Sequence, residues 1–256
     1  MLKSGALPAP PRRGFNCCSS EISTVRNAVL LLMLFAVPVW ADEPVHVAVA
    51  ANFKPTLEII NRQFEDKTGI AVTLSSASTG VLATQIEHGA PFDLFFAADR
   101  ETPEKILASK SGNNSDAFCY ARGSLVLTGG DGKLSALADP GLSLAIANPA
   151  TAPYGRAAME VLARPEFKAG EARKLVRGND VAQAYQFWHS RAVDLALVPR
   201  ALAPSGATRI PLAWHTPLEQ YVVVINRSAA VDTYLNWIRS DTVRALITDA
   251  GYEPCP

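Results

Sequence analysis

Residues 75–99 read SSASTGVLATQIEHGAPFDLFFAAD. The run is the end of a strand, a Ser/Thr/Gly turn, an amphipathic helix over 81–88 stopped by Gly89-Ala90-Pro91, and a buried strand over 92–97. A strand, helix, strand order of this length folds as a parallel crossover unit. Its turn sets backbone N–H groups and hydroxyls at a helix N-terminus. Such a turn receives an anion without any Lys or Arg.

The same grammar continues on both sides. VHVAVA at 45–50 alternates as a strand, and 53–67 carries Leu57, Ile60 and Phe64 at helical spacing before Gly69. A second strand is expected at 71–74, and Asp99 caps a helix running to about Ser109. After a loop at 110–117, strands are expected at 124–128, 144–147, 174–177 and 195–198, with helices at 155–163 and 181–190. YVVVI at 221–225 and helices at 229–240 and 242–250 close the chain. The order implies an α/β fold of two lobes. The expected lobes are residues 42–122 plus 217–256, and 123–216, joined by two crossing segments around a cleft.

The first 41 residues differ. Residues 27–41, NAVLLLMLFAVPVWA, are apolar, follow Arg26, and end with Val39 and Ala41 at the −3 and −1 positions of a secretory signal cut. The run is shorter than the ~20 residues of a membrane span and contains Pro38. Residues 1–24 fit a signal poorly. They read either as a twin-arginine export signal at Arg12-Arg13-Gly14-Phe15 or, the preferred reading, as text before a true start near Val25. Export to the periplasm with cleavage after Ala41 is expected. Cys17 and Cys18 precede the apolar run, so neither anchors a lipid on the mature N-terminus.

The chain carries no net charge, so no electrostatic footprint points to nucleic acid. Beyond residue 41 two cysteines remain, Cys119 and Cys255, and in an exported protein they are expected to bridge. His46, His88, His189 and His215 have no metal-ligand spacing.

Four strand-to-helix junctions converge by topology on one cleft. They are Ala51-Asn52, Ser78-Thr79-Gly80, Ala152-Pro153-Tyr154-Gly155 and Asp180-Val181. Open α/β sheets bind ligands at the carboxyl ends of their strands, and each junction offers unpaired N–H groups at the positive end of a helix dipole. Each junction alone also reads blandly: Asn52 and Thr79 as N-caps, Pro153 as a helix start, Val181 as core. Asp180 reads better as a cap facing away than as an anion contact. Arg156 is either an anion contact or a solvent-facing residue.

Together these runs resemble the periplasmic molybdate-binding proteins of bacterial ABC importers, over essentially all of 42–256. The densest likeness is 75–106, above all its A-x-Q-I-x-x-G-A-P-x-D-L-F-x-x-A-D run. ANF at 51–53, NPATAPYG at 148–155, NDVAQA at 179–184 and AGY at 250–252 add to it. The resemblance implies a type II periplasmic-binding-protein fold holding molybdate or tungstate between its lobes, no cofactor, a membrane permease as transient partner, and a monomer. Carried onto this chain, the contacts fall on Asn52, where many members have Ser, and Thr79, where Ser is usual. In the second lobe they fall on the N–H groups of Tyr154 and Val181, with the Tyr154 hydroxyl as an added donor. Ala51 and Ser78 are secondary candidates. Where some members place a further Tyr, this chain has Pro199, which has neither hydroxyl nor N–H to give.

A binder of sulfate, phosphate or a metal ion on the same fold is the nearest alternative. An enzyme is the alternative of a different class. No G-x-S-x-G elbow surrounds Ser78 or Thr79, and no His–Asp pairing is suggested, so the chain reads as a non-enzyme. A ligand-sensing domain of a transcription regulator would need an appended helix-turn-helix, and the signal-like segment stands in its place.

Overall fold

A computed structural model describes residues 43–109 and 117–256. The expected leader and its expected cleavage point, the twin-arginine pair and Cys17-Cys18 lie outside the described residues, as does nearly all of the expected 110–117 loop.

The first pass along the chain gives β1 (Val45–Ala50), α1 (Lys54–Thr68), β2 (Val72–Ala77), α2 (Thr79–Glu87), β3 (Leu94–Ala97), α3 (Glu101–Ser109) and β4 (Phe118–Gly123). The second gives β5 (Leu125–Gly129), β6 (Leu144–Ala147), α4 (Pro153–Leu162), β7 (Leu175–Gly178), α5 (Val181–His189), β8 (Leu195–Pro199) and β9 (Thr208–Arg209). The chain then returns through β10 (Leu218–Val224), α6 (Ala229–Ile238) and α7 (Asp241–Asp249).

Two five-stranded sheets result, ordered β2-β1-β3-β10-β4 and β7-β6-β8-β5-β9. In the first, β1 runs parallel to β2 and β3, and the returning β10 inserts antiparallel between β3 and β4. In the second, β6 is parallel to β7 and β8, and β5 is antiparallel to β8 and β9. The lobes are therefore joined at Gly123-Ser124 on the way out and by the segment leading into β10 on the way back.

Both sheets are covered on two faces, so successive strand residues enter different cores. Val47 and Val49 pack with Phe53, Leu57, Phe96 and Val222, while Ala48 joins Leu82, Ile86, Phe95 and Val223. The second lobe repeats this, with Leu144 and Ile146 in one cluster and Ala145 and Ala196 in another. Helix α1 starts with a proline in its first turn and ends where Gly69, at φ 73°, turns left-handed and donates its N–H to the Glu65 carbonyl. Ala50, Ala51 and Ala98 of the first lobe pack into the main core of the second, so the facing ends of the sheets touch.

Three departures from the sequence expectations bear on the site. Helix α2 begins at Thr79 rather than 81, which puts Ser78 at the N-cap and Thr79 inside the first turn. Asn52 is no cap either, since Phe53 holds that position before α1. Strands β4 and β9 were not anticipated. Strand β4 is largely half-buried and is held by a long-range partner, β10, so its own sequence signals it weakly. On β4, Cys119 is disulfide-bonded to Cys255, with their Cα atoms 6.1 Å apart.

Candidate binding cleft

The four junctions meet at one small cavity between the sheets. Its wall includes Ala51, Asn52, Ser78, Thr79, Tyr154 and Val181, all of the ligand-contact residues expected from the sequence. Its volume is about 10 Å³. Pockets for organic ligands run to roughly 300–1,000 Å³. By that measure one enclosed water needs about 10–15 Å³, so the junctions lie nearly closed on one another and leave no room for a sugar, peptide or amino acid.

The wall is made of neutral donors. Thr79 and Val181 open α2 and α5, and Tyr154 follows Pro153 at the start of α4. N–H groups in a first helical turn have no intrahelical acceptor. Among the described residues, the N–H groups of Asn52, Thr79, Tyr154 and Val181 have no protein acceptor. The Thr79 hydroxyl accepts from Ala98 N–H at 3.1 Å, which leaves its own hydrogen to give. The Ser78 hydroxyl is buried against the cavity and has no partner at all. A buried unpaired hydroxyl is costly, so it marks a place for a ligand acceptor.

No Lys or Arg lines the cavity. Asp180 does, but its Oδ1 is turned back to accept from Gln183 N–H at 2.9 Å, capping α5. Arg156 is partly exposed, and it is not free for an anion because it is paired with Asp99 of the first lobe. Among the described residues no group of His, Cys, Asp and Glu is arranged to hold a metal ion.

Behind the wall lies a hydrogen-bond network that the sequence did not single out. Asn52 Nδ2 donates to Gln220 Oε1 at 2.8 Å and to the Tyr252 hydroxyl at 3.2 Å. The Tyr252 hydroxyl donates to the Asn52 carbonyl at 2.8 Å. The Tyr120 hydroxyl donates to Gln220 Oε1 at 2.9 Å, and Gln220 Nε2 donates to the Tyr154 hydroxyl at 3.0 Å, so that hydroxyl, expected as an added ligand donor, is engaged by the network behind the wall instead. The Asn52 side chain therefore has both hydrogens committed inward, and its main-chain N–H is what it offers the cavity. The signal for Gln220 was present in LEQYVVV: it shares a strand face with Leu218, Val222 and Val224, a lone amide in an apolar row. Burial pushes the Tyr154, Tyr120 and Tyr252 hydroxyls up from their ordinary titration range, so all three stay neutral donors and acceptors.

The sequence pattern of the bacterial extracellular solute-binding proteins matches residues 45–253. The molybdate-binding protein ModA of Azotobacter vinelandii is 34% identical over 81% of this chain and 89% of its own length. Its namesake from Rhodobacter capsulatus is 32% identical over 88% of this chain and 94% of its own. A solved structure of the Azotobacter vinelandii periplasmic molybdate-binding protein superimposes with a TM-score of 0.75 at 31% identity, covering 83% of this chain and all of that one. With its two sheets, its cleft and these likenesses, the chain belongs to the bacterial extracellular solute-binding proteins.

Proposed function

We propose that the protein captures molybdate, and tungstate of nearly equal size, in the interlobe cavity and delivers it to the membrane permease of an ABC importer. The observation that carries this reading is the convergence of four unpaired N–H groups and the Ser78 and Thr79 hydroxyls on a small cavity with no cationic side chain. The relatives at 32–34% identity are named as molybdate-binding proteins, which supports the choice of anion.

The proposed ligand set is the N–H groups of Asn52, Thr79, Tyr154 and Val181 with the Thr79 hydroxyl. Ser78 Oγ joins the set as a donor, and Ala51 contributes wall. Selection is by size. Molybdate is larger than sulfate, and a rigid ring leaves donors unpaired around a smaller oxyanion. Each such donor costs ~1–3 kcal/mol. Bonds to a charged acceptor are stronger than neutral ones, so several together hold a dianion without a countercharge.

The protein works as a binder rather than an enzyme, outside the cytoplasmic membrane, as a monomer. The apolar run at 27–41, preceded by Arg26, acts as its export leader, cut after Ala41. Residues 42–122 with 217–256 form one lobe and 123–216 the other, closing on the ligand about the two crossings.

Calorimetric titration with molybdate, tungstate, sulfate and phosphate tests this. Tight, nearly equal binding of the first two and weak binding of the others is expected. Comparable sulfate affinity would overturn the size filter, and a response to phosphate alone would reassign the ligand.

A further inference from the structure

We infer that Gln220 is a positioning residue: from the returning strand β10 it fixes the spacing between the Asn52 and Tyr154 sides of the cavity, and so sets which oxyanion the ring accepts. This rests on the oxyanion reading above and goes beyond it, because Gln220 is not part of the cavity wall.

Hydrogen-bond accounting settles how the amide lies. The Tyr252 hydroxyl has one hydrogen, and it goes to the Asn52 carbonyl. Whatever Asn52 presents to that oxygen must be a donor, hence Nδ2. The same Nδ2 lies 2.8 Å from Gln220, so the Gln220 atom there must be an acceptor, Oε1. Tyr120 adds a second donor to Oε1. Nε2 is then left for the Tyr154 hydroxyl, on the opposite lobe. Glutamine alone among the uncharged side chains of this length offers an acceptor to one lobe and a donor to the other.

The geometry around the Tyr154 hydroxyl shows why spacing is at stake. It sits against Gly123, where the chain first crosses between lobes. A Cβ at Gly123 would lie 1.9 Å from that oxygen and 2.7 Å from Gln220 Nε2. The Tyr154 side chain therefore reaches from the cavity, where its N–H is offered, to a socket at the crossing that only glycine leaves open. Gln220 is itself fully buried. A buried amide left without partners is costly, so the network is complete only when Tyr154 arrives at this separation from Asn52. The ring is thus held at one aperture from behind, by a residue that touches no ligand.

The experiment is a double-mutant cycle of Gln220→Met and Tyr154→Phe in the whole protein, read as affinity for molybdate and for sulfate. Neither change removes a cavity N–H. Each single variant should lose roughly tenfold in molybdate affinity and narrow the molybdate-to-sulfate ratio by a similar factor, with the double variant no worse than either. A role in folding alone would lower thermal stability and leave the ratio unchanged. If Gln220→Met does not fold, Tyr154→Phe, which deletes one oxygen, carries the selectivity test alone. An unchanged ratio in folded variants, or losses that add, would overturn this inference while leaving the oxyanion reading intact. A wild-type protein that binds no oxyanion would overturn that reading, and this inference with it.

Discussion

Arg156 Nη2 lies 2.6 Å from Asp99 Oδ2, so an ion pair joins the first turn of α4 in the second lobe to the segment that opens α3 in the first. Asp99 is also the cap its sequence position suggested, accepting from the N–H and hydroxyl of Thr102, each at 3.1 Å. The carboxylate serves one lobe covalently and both electrostatically.

Arg156→Ala should weaken molybdate binding by about two- to fivefold, the range of a partly exposed pair. The loss should appear as faster ligand release, because the pair exists only while the lobes are together. It should also shrink as salt is raised, since 42% of the Arg156 side chain is exposed. Stopped-flow release rates at low and high ionic strength measure both. A salt-independent loss would mean the arginine acts through packing instead.

A second contact across the lobes predicts an opposition of signs. Gly80 N–H donates to the Thr151 carbonyl at 2.8 Å, and a Cβ at Gly80 would sit 3.0 Å from that oxygen. Gly80 lies in the first turn of α2, where alanine favours the helix by up to ~1 kcal/mol. Gly80→Ala should leave the ligand-free protein as stable as wild type or more so, yet bind molybdate more weakly. Thermal unfolding paired with titration checks it, and a gain in both would remove the close approach as a requirement.

What the sequence showed and hid follows from how each feature is encoded. The junctions at 51–52, 78–80, 152–155 and 180–181 were legible because strand periodicity, turn residues and helix starts are local. The N–H groups they present need no side-chain identity. The network behind them was not legible, because its members lie far apart: Asn52 meets Gln220 across 168 positions, and Tyr252 across 200. Nor could local pattern tell that the Asn52 amide points inward, since that depends on Tyr252 spending its hydrogen on the Asn52 carbonyl. Strand β4 was missed for a related reason, its place being fixed by β10 from the far end of the chain.

Alkaline stability follows from the buried tyrosines. Burial raises the hydroxyls of Tyr154, Tyr234 and Tyr252 above the ordinary tyrosine value. A raised folded-state value means the unfolded chain releases these protons first. The stabilisation is thus fully present below about pH 10 and is lost as pH rises from there toward the folded values, at about 1.4 kcal/mol per pH unit for each tyrosine. Tyrosinate absorbance for these three should appear together with unfolding by circular dichroism. Ionisation well before unfolding would show that they are wetter than the fold implies.

The disulfide ties stability to binding. Cys255 fixes the C-terminal tail to β4, and three residues earlier Tyr252 both donates to the Asn52 carbonyl and accepts from its amide. The bridge closes a sequence separation of 136, for which loss of a native bridge typically costs about 2–5 kcal/mol. The tail keeps a second hold, since Arg122 and Glu253 pair through both backbones and an ion pair at 3.0 Å. Cys119→Ser with Cys255→Ser should therefore lower the melting temperature without freeing the tail outright. The loosened Tyr252 should weaken molybdate binding by less than Tyr154→Phe does. An unreduced digest should yield a Cys119–Cys255 linked peptide, and recovery of both as free thiols would refute the bridge. An unaltered affinity in the double serine variant would show that the Arg122–Glu253 hold alone keeps Asn52 in place.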